Sequence, residues 1–315
     1  MPKESTFLKD EYGLKTDKVF KSRSAKSVDL KAWVDREDEV KEWEKVLRDS
    51  KRVEDSNFLV FIIGEYGMGK TLSLLKIREM AEEIGTFPIY INFKSEEKTT
   101  KPGLDFIQRI FKGVNFDNIK VKQKDFDLLR KIFPDVGNVF QNVLFKKQTG
   151  VWGNKYIIDE ARLGVAFLKG EITPNRSQLK QLGALRKINS VDIAKEYLIG
   201  FLYLLKLSGY STLVVAVDEF EYLFSIVTSS QQSIYLAVLR ELYDLGVIIP
   251  KEFKEVSNIA LFIASSEDGW RRLSELEKKE KTTGGPIVPL RQRVSTSVIL
   301  KKFNIKYTKD LIEKR

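Results

Sequence analysis

The apolar positions of the chain follow two periods. FLVFII at 58–63 is a continuous apolar run without alternation, the pattern of a strand buried on both faces of a parallel sheet. GEYGMGKT follows, and then TLSLLKIREMAEEIG, where apolar residues recur at helical spacing until Gly85, a C-terminal stop. PIYINF at 88–93 predicts the next strand, so the succession of strand, glycine-rich turn, helix and strand reads as a βαβ unit. Further on, VDIAKEYLIGFLYLLKLSG (191–209) predicts a long helix ending at Gly209. TLVVAVDEFEYLF predicts a buried strand over 212–217 that ends at Asp218. A helix over about 229–245 and a strand within NIALFIASSE (258–267) follow, and the short apolar stretch SVIL closes the set. Near the start, Trp33, Val40, Trp43, Val46 and Leu47 recur at helical spacing. They predict a helix over about 36–50, with Asp35 as N-cap and Asp38 three positions on.

Between these halves, residues 94–190 are less regular. They predict helices near 103–112, 124–133, 136–148 and 157–168, and a turn at ITPNRS. The expected organisation is an arm at 1–30, one α/β core over 31–300 with a helical insertion at about 94–190, and a basic tail or the start of a lid at 301–315. The N-terminus lacks the apolar segment of a secretory signal, and no run of 18 apolar residues occurs. The expectation is a cytoplasmic protein with no membrane partner.

Composition removes most catalytic chemistries. The chain has neither cysteine nor histidine, which excludes disulfides, thiol nucleophiles, Ser-His-Asp triads and His- or Cys-built metal sites. Carboxylate, lysine, hydroxyl and arginine chemistry remains, a set suited to phosphate and Mg²⁺. The net charge of +10 is unevenly spread. Arg271 to Arg315 carries 13 basic against 5 acidic residues, and Lys94 to Gln148 carries 12 against 7. Such segregation is compatible with a nucleic-acid partner and equally with a lysine-rich solvated surface.

Gly64, Glu65, Tyr66, Gly67, Met68, Gly69, Lys70 and Thr71 match the G-x-x-x-x-G-K-[ST] pattern between a buried strand and a helix, where its mechanics require it. The glycines let successive backbone N–H groups point at phosphate oxygens, and the helix beginning near Leu72 presents its positive end to the same anion. Lys70 is expected to reach the β- and γ-phosphates, and the Thr71 hydroxyl to ligate Mg²⁺. At the end of the strand over 212–217, Asp218 is expected to hold the Mg²⁺ shell and Glu219 to orient or deprotonate the attacking water. Glu221, further into the following turn, is the rival base. Ser265, at the end of the next apolar strand, is placed to hydrogen-bond the γ-phosphate or the water. Arg271, Arg272, Arg291 and Arg293 are candidates for transition-state charge stabilisation in a neighbouring subunit, with Arg293 the first choice. Trp33, Tyr66 and Phe93 are candidate adenine-stacking residues, although such residues are more often packing groups.

These residues resemble the AAA+ ATPases. The five strands correspond to the AAA+ core. WVDRE resembles the V-x-R-E segment of initiator-type and STAND-type members, IASS resembles sensor 1, and LRQRV resembles the segment carrying the arginine finger. A closer likeness over about 33–300 is to the ATP-binding proteins of BREX-type phage-defence systems. GEYGMGKT is similar to their GEYGSGKS form, and the run LGALRKINSVDIAKEYLIGFLYLLKLSGYSTLVVAVDEFEYL to their helix, L-x-G-Y, strand, D-E-x-E arrangement. The resemblance implies a three-layer α/β sandwich with a mainly parallel five-stranded P-loop sheet. It also implies ATP and Mg²⁺ as cofactors, a homo-oligomer or partner protein, and work on DNA of low sequence specificity. AAA+ proteins usually continue into a helical lid; only FNIKYTKDLIEKR follows the last predicted strand, so the lid is expected to be short or absent. The function expected is Mg²⁺-dependent ATP hydrolysis that drives a conformational or assembly switch. The alternatives are a STAND-like signalling switch without DNA and a nucleotide-binding module that does not hydrolyse.

Overall fold

The computed structural model describes residues 36–53, 56–93, 101–146, 155–226, 228–245, 248–282 and 290–301. The expected arm at 1–30, Trp33 and Asp35, and the tail beyond Lys301 lie outside the described residues.

Five parallel strands form one sheet in the order β2-β3-β4-β1-β5: β1 (Phe58–Ile63), β2 (Phe87–Asn92), β3 (Thr212–Asp218), β4 (Asn258–Ser265) and β5 (Thr296–Ile299). In this order β1 lies between β4 and β5. Alternate side chains of the central strands feed two buried layers, as the two-residue strand period requires. Val60, Ile62, Val214, Ala216, Ala260 and Phe262 face α1 (Glu37–Arg52) and α2 (Lys70–Glu83), which contribute Trp43, Leu47, Leu74 and Ile77. Leu59, Phe61, Leu213, Val215, Ile259 and Leu261 face the larger opposite layer.

That larger layer holds α3 (Pro102–Gly113), α4 (Asp125–Ile132), α5 (Pro134–Phe140), α6 (Lys155–Leu168), α7 (Arg176–Leu182), α8 (Val191–Leu207), α9 (Leu223–Ile226), α10 (Ser229–Tyr243) and α11 (Glu267–Thr282). The helices of the 94–190 segment join the same buried cluster as the sheet, through Phe106, Ile110, Phe126, Phe140 and Phe167. Gly200 on α8 makes this packing possible, because a Cβ there would come within 2.5 Å of Val136.

Four local differences from the sequence expectations have plain causes. The first helix begins at Glu37 with Arg36 as N-cap and no side-chain cap bond. The turn at ITPNRS ends in a capping box, Asn175 with Gln178, that starts α7. The helix expected over 136–148 is split into α5 and a π-helical turn at Gln141–Lys146. Finally, α11 is not among the helices expected, since its apolar positions are few: Leu273 and Leu276 anchor it in the core, and exposed pairs of Asp268 with Arg271 and Arg272 support its first turns. Among the described residues no helix is long and apolar enough to cross a membrane.

Candidate functional site

The register of the sheet delivers the sequence-predicted acids and glycines to one edge. Ile63 pairs with Ser265 and Asn92 with Asp218, so β1, β2, β3 and β4 end together at their carboxyl ends, where open α/β sheets place ligands. The Gly64 N–H donates to Ser265 O at 3.2 Å, which ties the start of the glycine-rich loop to the end of β4.

The loop itself needs its glycines. Gly67 and Gly69 have φ of 83° and 87°, in the left-handed region that a side chain disfavours. Gly69 is the N-cap of α2, and the first turn of α2 holds no acidic residue, so its positive end is left to attract an anion. Glu65 and Tyr66 are exposed, Tyr66 to 89%, whereas Met68 and Leu72 are half-buried. Lys70 folds back along the loop: its Nζ donates to Gly64 O at 2.9 Å and Glu65 O at 3.2 Å, and lies 3.9 Å from Glu221 Oε1.

Thr71 and Asp218 meet directly. Thr71 Oγ1 donates to Asp218 Oδ2 at 2.7 Å across the gap between α2 and β3. Tyr90, on β2, donates its hydroxyl to the same oxygen at 2.6 Å. Burial, and then the Asp218 carboxylate, push the Tyr90 phenol well above its ordinary range, so it stays a donor. Asp218 Oδ1 accepts the backbone N–H of Glu219 at 2.9 Å. Glu219 has φ 56°, the one non-glycine residue with positive φ among the described residues. Such strain at a strand end is a mark of functional positions rather than of ordinary packing. Glu221 lies one short turn further, and its Oε2 is buried with no hydrogen-bond partner among the described residues. A Cβ at Gly269 would sit 2.5 Å from Ser265 Oγ and 2.8 Å from Glu221 Cβ, so only glycine lets these two residues share the site.

The other candidates are distributed differently. Ser265 is buried and donates to Ser266 O at 3.3 Å. Arg293 makes a forked pair with Asp244, Nε to Oδ1 at 3.1 Å and Nη2 to Oδ2 at 2.6 Å, within its own chain. Arg291 lies over Trp270 at 5.1 Å and donates to Ser274. Arg271 and Arg272 pair with Asp268 on the surface. Phe93 is buried among Phe106, Phe220 and Tyr235, so the structure makes it a core residue, not an adenine platform. Tyr90 and Gly269 were not picked out by sequence reasoning. The alternation in FPIYIN gives Tyr90 a face opposite to Ile89 and Ile91 but no partner.

Among the described residues there is no cluster of three or more acidic side chains that could cage a metal. A hydroxyl and a carboxylate 2.7 Å apart beside a glycine-rich loop fit Mg²⁺ all the same, because that ion is commonly held by one or two protein oxygens, water and phosphate.

Comparison with known proteins gives two findings. The family model "BREX system ATP-binding protein BrxC/D" matches residues 136–262, which include β3 and the Asp218–Glu219 pair. The structure of the Aeropyrum pernix ORC2 protein, in ADPNP and ADP complexes, aligns over 90% of this chain with 15% identity and a TM-score of 0.43. The chain spans 52% of that structure's length. No curated protein matches the chain. The likeness to BREX ATP-binding proteins read from DEFEYL has a counterpart in the family model, whose matched residues do not reach GEYGMGKT, and the sheet is parallel and five-stranded, as the sequence predicts.

Proposed function

We propose that this protein binds Mg-ATP at residues 64–71 and hydrolyses it, and that hydrolysis drives a conformational or assembly switch in a DNA-associated process. The observation that carries the reading is the 2.7 Å contact between Thr71 and Asp218 at the mouth of a glycine loop that opens a helix. In this reading Gly64 to Thr71 and the N-terminus of α2 cradle the phosphates, and Lys70 leaves its carbonyl partners for the β- and γ-phosphates. Thr71 and Asp218 are the residues that would hold Mg²⁺, which when bound supplies charge neutralisation at the phosphates. Glu219 orients or deprotonates the lytic water, and Ser265, at the end of β4, hydrogen-bonds the γ-phosphate or that water. The test is phosphate release from ATP with Mg²⁺ or with chelator, with and without duplex DNA, over a range of protein concentrations. Absence of Mg²⁺-dependent release under all conditions, with ATP still bound, leaves a nucleotide-binding module and removes the enzyme.

Arg293 makes the subunit arrangement testable. Its fork to Asp244 holds the guanidinium in its own chain, so action on a neighbour's ATP requires that pair to open on assembly. Specific activity is then expected to rise with protein concentration. Mixing Arg293→Ala with Lys70→Ala subunits should recover turnover at mixed interfaces. Concentration-independent turnover by a monomer removes the trans role.

Support for DNA is the exposed trio Lys120, Lys122 and Lys124, between α3 and α4, together with the basic excess from Arg271 onward. About five phosphate contacts would give a log–log salt slope of roughly −4 on duplex DNA, with little sequence preference. Replacing the three lysines with glutamate should flatten that slope and leave basal turnover unchanged. No DNA binding at low salt, with or without ATP, would turn the reading toward a nucleotide-controlled switch that acts on protein alone.

A further inference from the structure

Arg36 is a cation buried to 3% exposure, and a buried charge requires partners. Its Nη1 donates to Glu39 Oε1 at 3.0 Å. Its Nη2 donates to two backbone carbonyls, Met68 O at 3.1 Å and Lys301 O at 2.8 Å. The first lies in the middle of the phosphate loop. The second lies just beyond β5.

The geometry of the Met68–Gly69 peptide gives this contact a consequence. In a planar trans peptide the C=O and the following N–H point in opposite directions. Drawing the Met68 carbonyl to Arg36 therefore turns the Gly69 N–H away from Arg36. Gly69, at φ 87°, bounds this peptide on one side, and a glycine there leaves the peptide plane freer to rotate. The guanidinium supplies a restraint that the glycine does not. The other half of the contact is anchored as well. Leu300 N–H donates to Ile63 O at 2.7 Å, and a Cβ on Gly64 would lie 3.1 Å from Leu300 Cβ. Residues 300 and 301 thus lie against the start of the phosphate loop, and one side chain ties both segments together.

We propose that Arg36 is a positioning residue for phosphate binding: it fixes the Met68–Gly69 peptide so that the Gly69 N–H faces the phosphate, and it carries phosphate occupancy to the backbone at Lys301. The proposal rests on the reading of residues 64–71 as the nucleotide site. Arginine suits the role because its planar fork donates in several fixed directions at once, which an ammonium does not.

The test is hydrogen exchange on the full chain with ADP, with ADPNP and without nucleotide, read in peptides covering 64–72 and 294–301, alongside nucleotide titrations. In the unsubstituted protein both peptides should be protected by nucleotide. Arg36→Gln should weaken ADP and ADPNP binding about tenfold, the scale of one charge-assisted hydrogen bond. At saturating nucleotide its 64–72 peptide should still be protected, while 294–301 should no longer respond. Arg36→Lys should recover part of the affinity. If nucleotide protects 64–72 but leaves 294–301 unchanged in the unsubstituted protein, the coupling is wrong; this arm stands even if Arg36→Gln does not fold. Binding by folded Arg36→Gln within twofold of the unsubstituted protein, with 294–301 still responding, overturns the positioning role. No nucleotide binding by the unsubstituted protein would instead remove the nucleotide site on which the proposal stands.

Discussion

Glu219→Gln is expected to bind Mg-ATP with nearly unchanged affinity and to turn it over at least ~100-fold more slowly, the usual scale for loss of a catalytic base. The substitution preserves shape and keeps the backbone N–H that donates to Asp218 Oδ1, so the left-handed turn at φ 56° is retained. What is lost is the capacity to accept a proton. The comparison that decides the role is Glu221→Gln. Glu221 stands 3.9 Å from Lys70, so its loss should act first on the setting of the lysine and hence on nucleotide affinity. Nucleotide titrations and single-turnover assays on both variants separate the two. Normal hydrolysis by Glu219→Gln, with none by Glu221→Gln, would make Glu221 the base.

Lys70→Ala should weaken ATP binding tenfold or more, about 1.5–3 kcal/mol for a charge-assisted contact. Two effects act in the same direction. The phosphates lose their cation, and the Glu221 carboxylate, with its buried Oε2, is left facing them without its neighbour. Lys70→Ala combined with Glu221→Gln should therefore bind ATP better than Lys70→Ala alone, a coupling that a double-mutant cycle reads directly. Unchanged ATP affinity in a folded Lys70→Ala protein would remove residues 64–71 as the nucleotide site.

Much of this site is legible because its chemistry is local. GEYGMGKT names its own turn, FLVFII its own strand, and TLVVAVDE both a buried strand and the acids at its end. The observed β1 spans Phe58–Ile63, as the uninterrupted apolar run predicts. Contacts that depend on the assembled sheet left no comparable trace. Tyr90 meets Asp218 only because β2 lies beside β3, and Arg36 meets Lys301 only because β5 returns to the side of β1. Gly269 reads as one more residue of a polar stretch until Ser265 and Glu221 are packed against it. Phe93 stays open between packing and stacking in the sequence for the complementary reason. An aromatic just past a strand at the ligand edge can face either the site or the core, and here the rings of Phe106, Phe220 and Tyr235 hold it in the core.

The strand order also dictates when the glycine-rich loop can form during synthesis. β1 is made early, yet both of its neighbours, β4 and β5, come from the last third of the chain. Until Asn258–Ser265 has left the ribosome, FLVFII has no strand to pair with on either side, whereas β2 already finds β3. A long-range closure of this kind is slow, and it leaves an apolar strand with two open edges in the meantime. Fragments ending before β4 should therefore aggregate rather than bind nucleotide, even though they contain every residue of the glycine loop and both acids of the D-E pair.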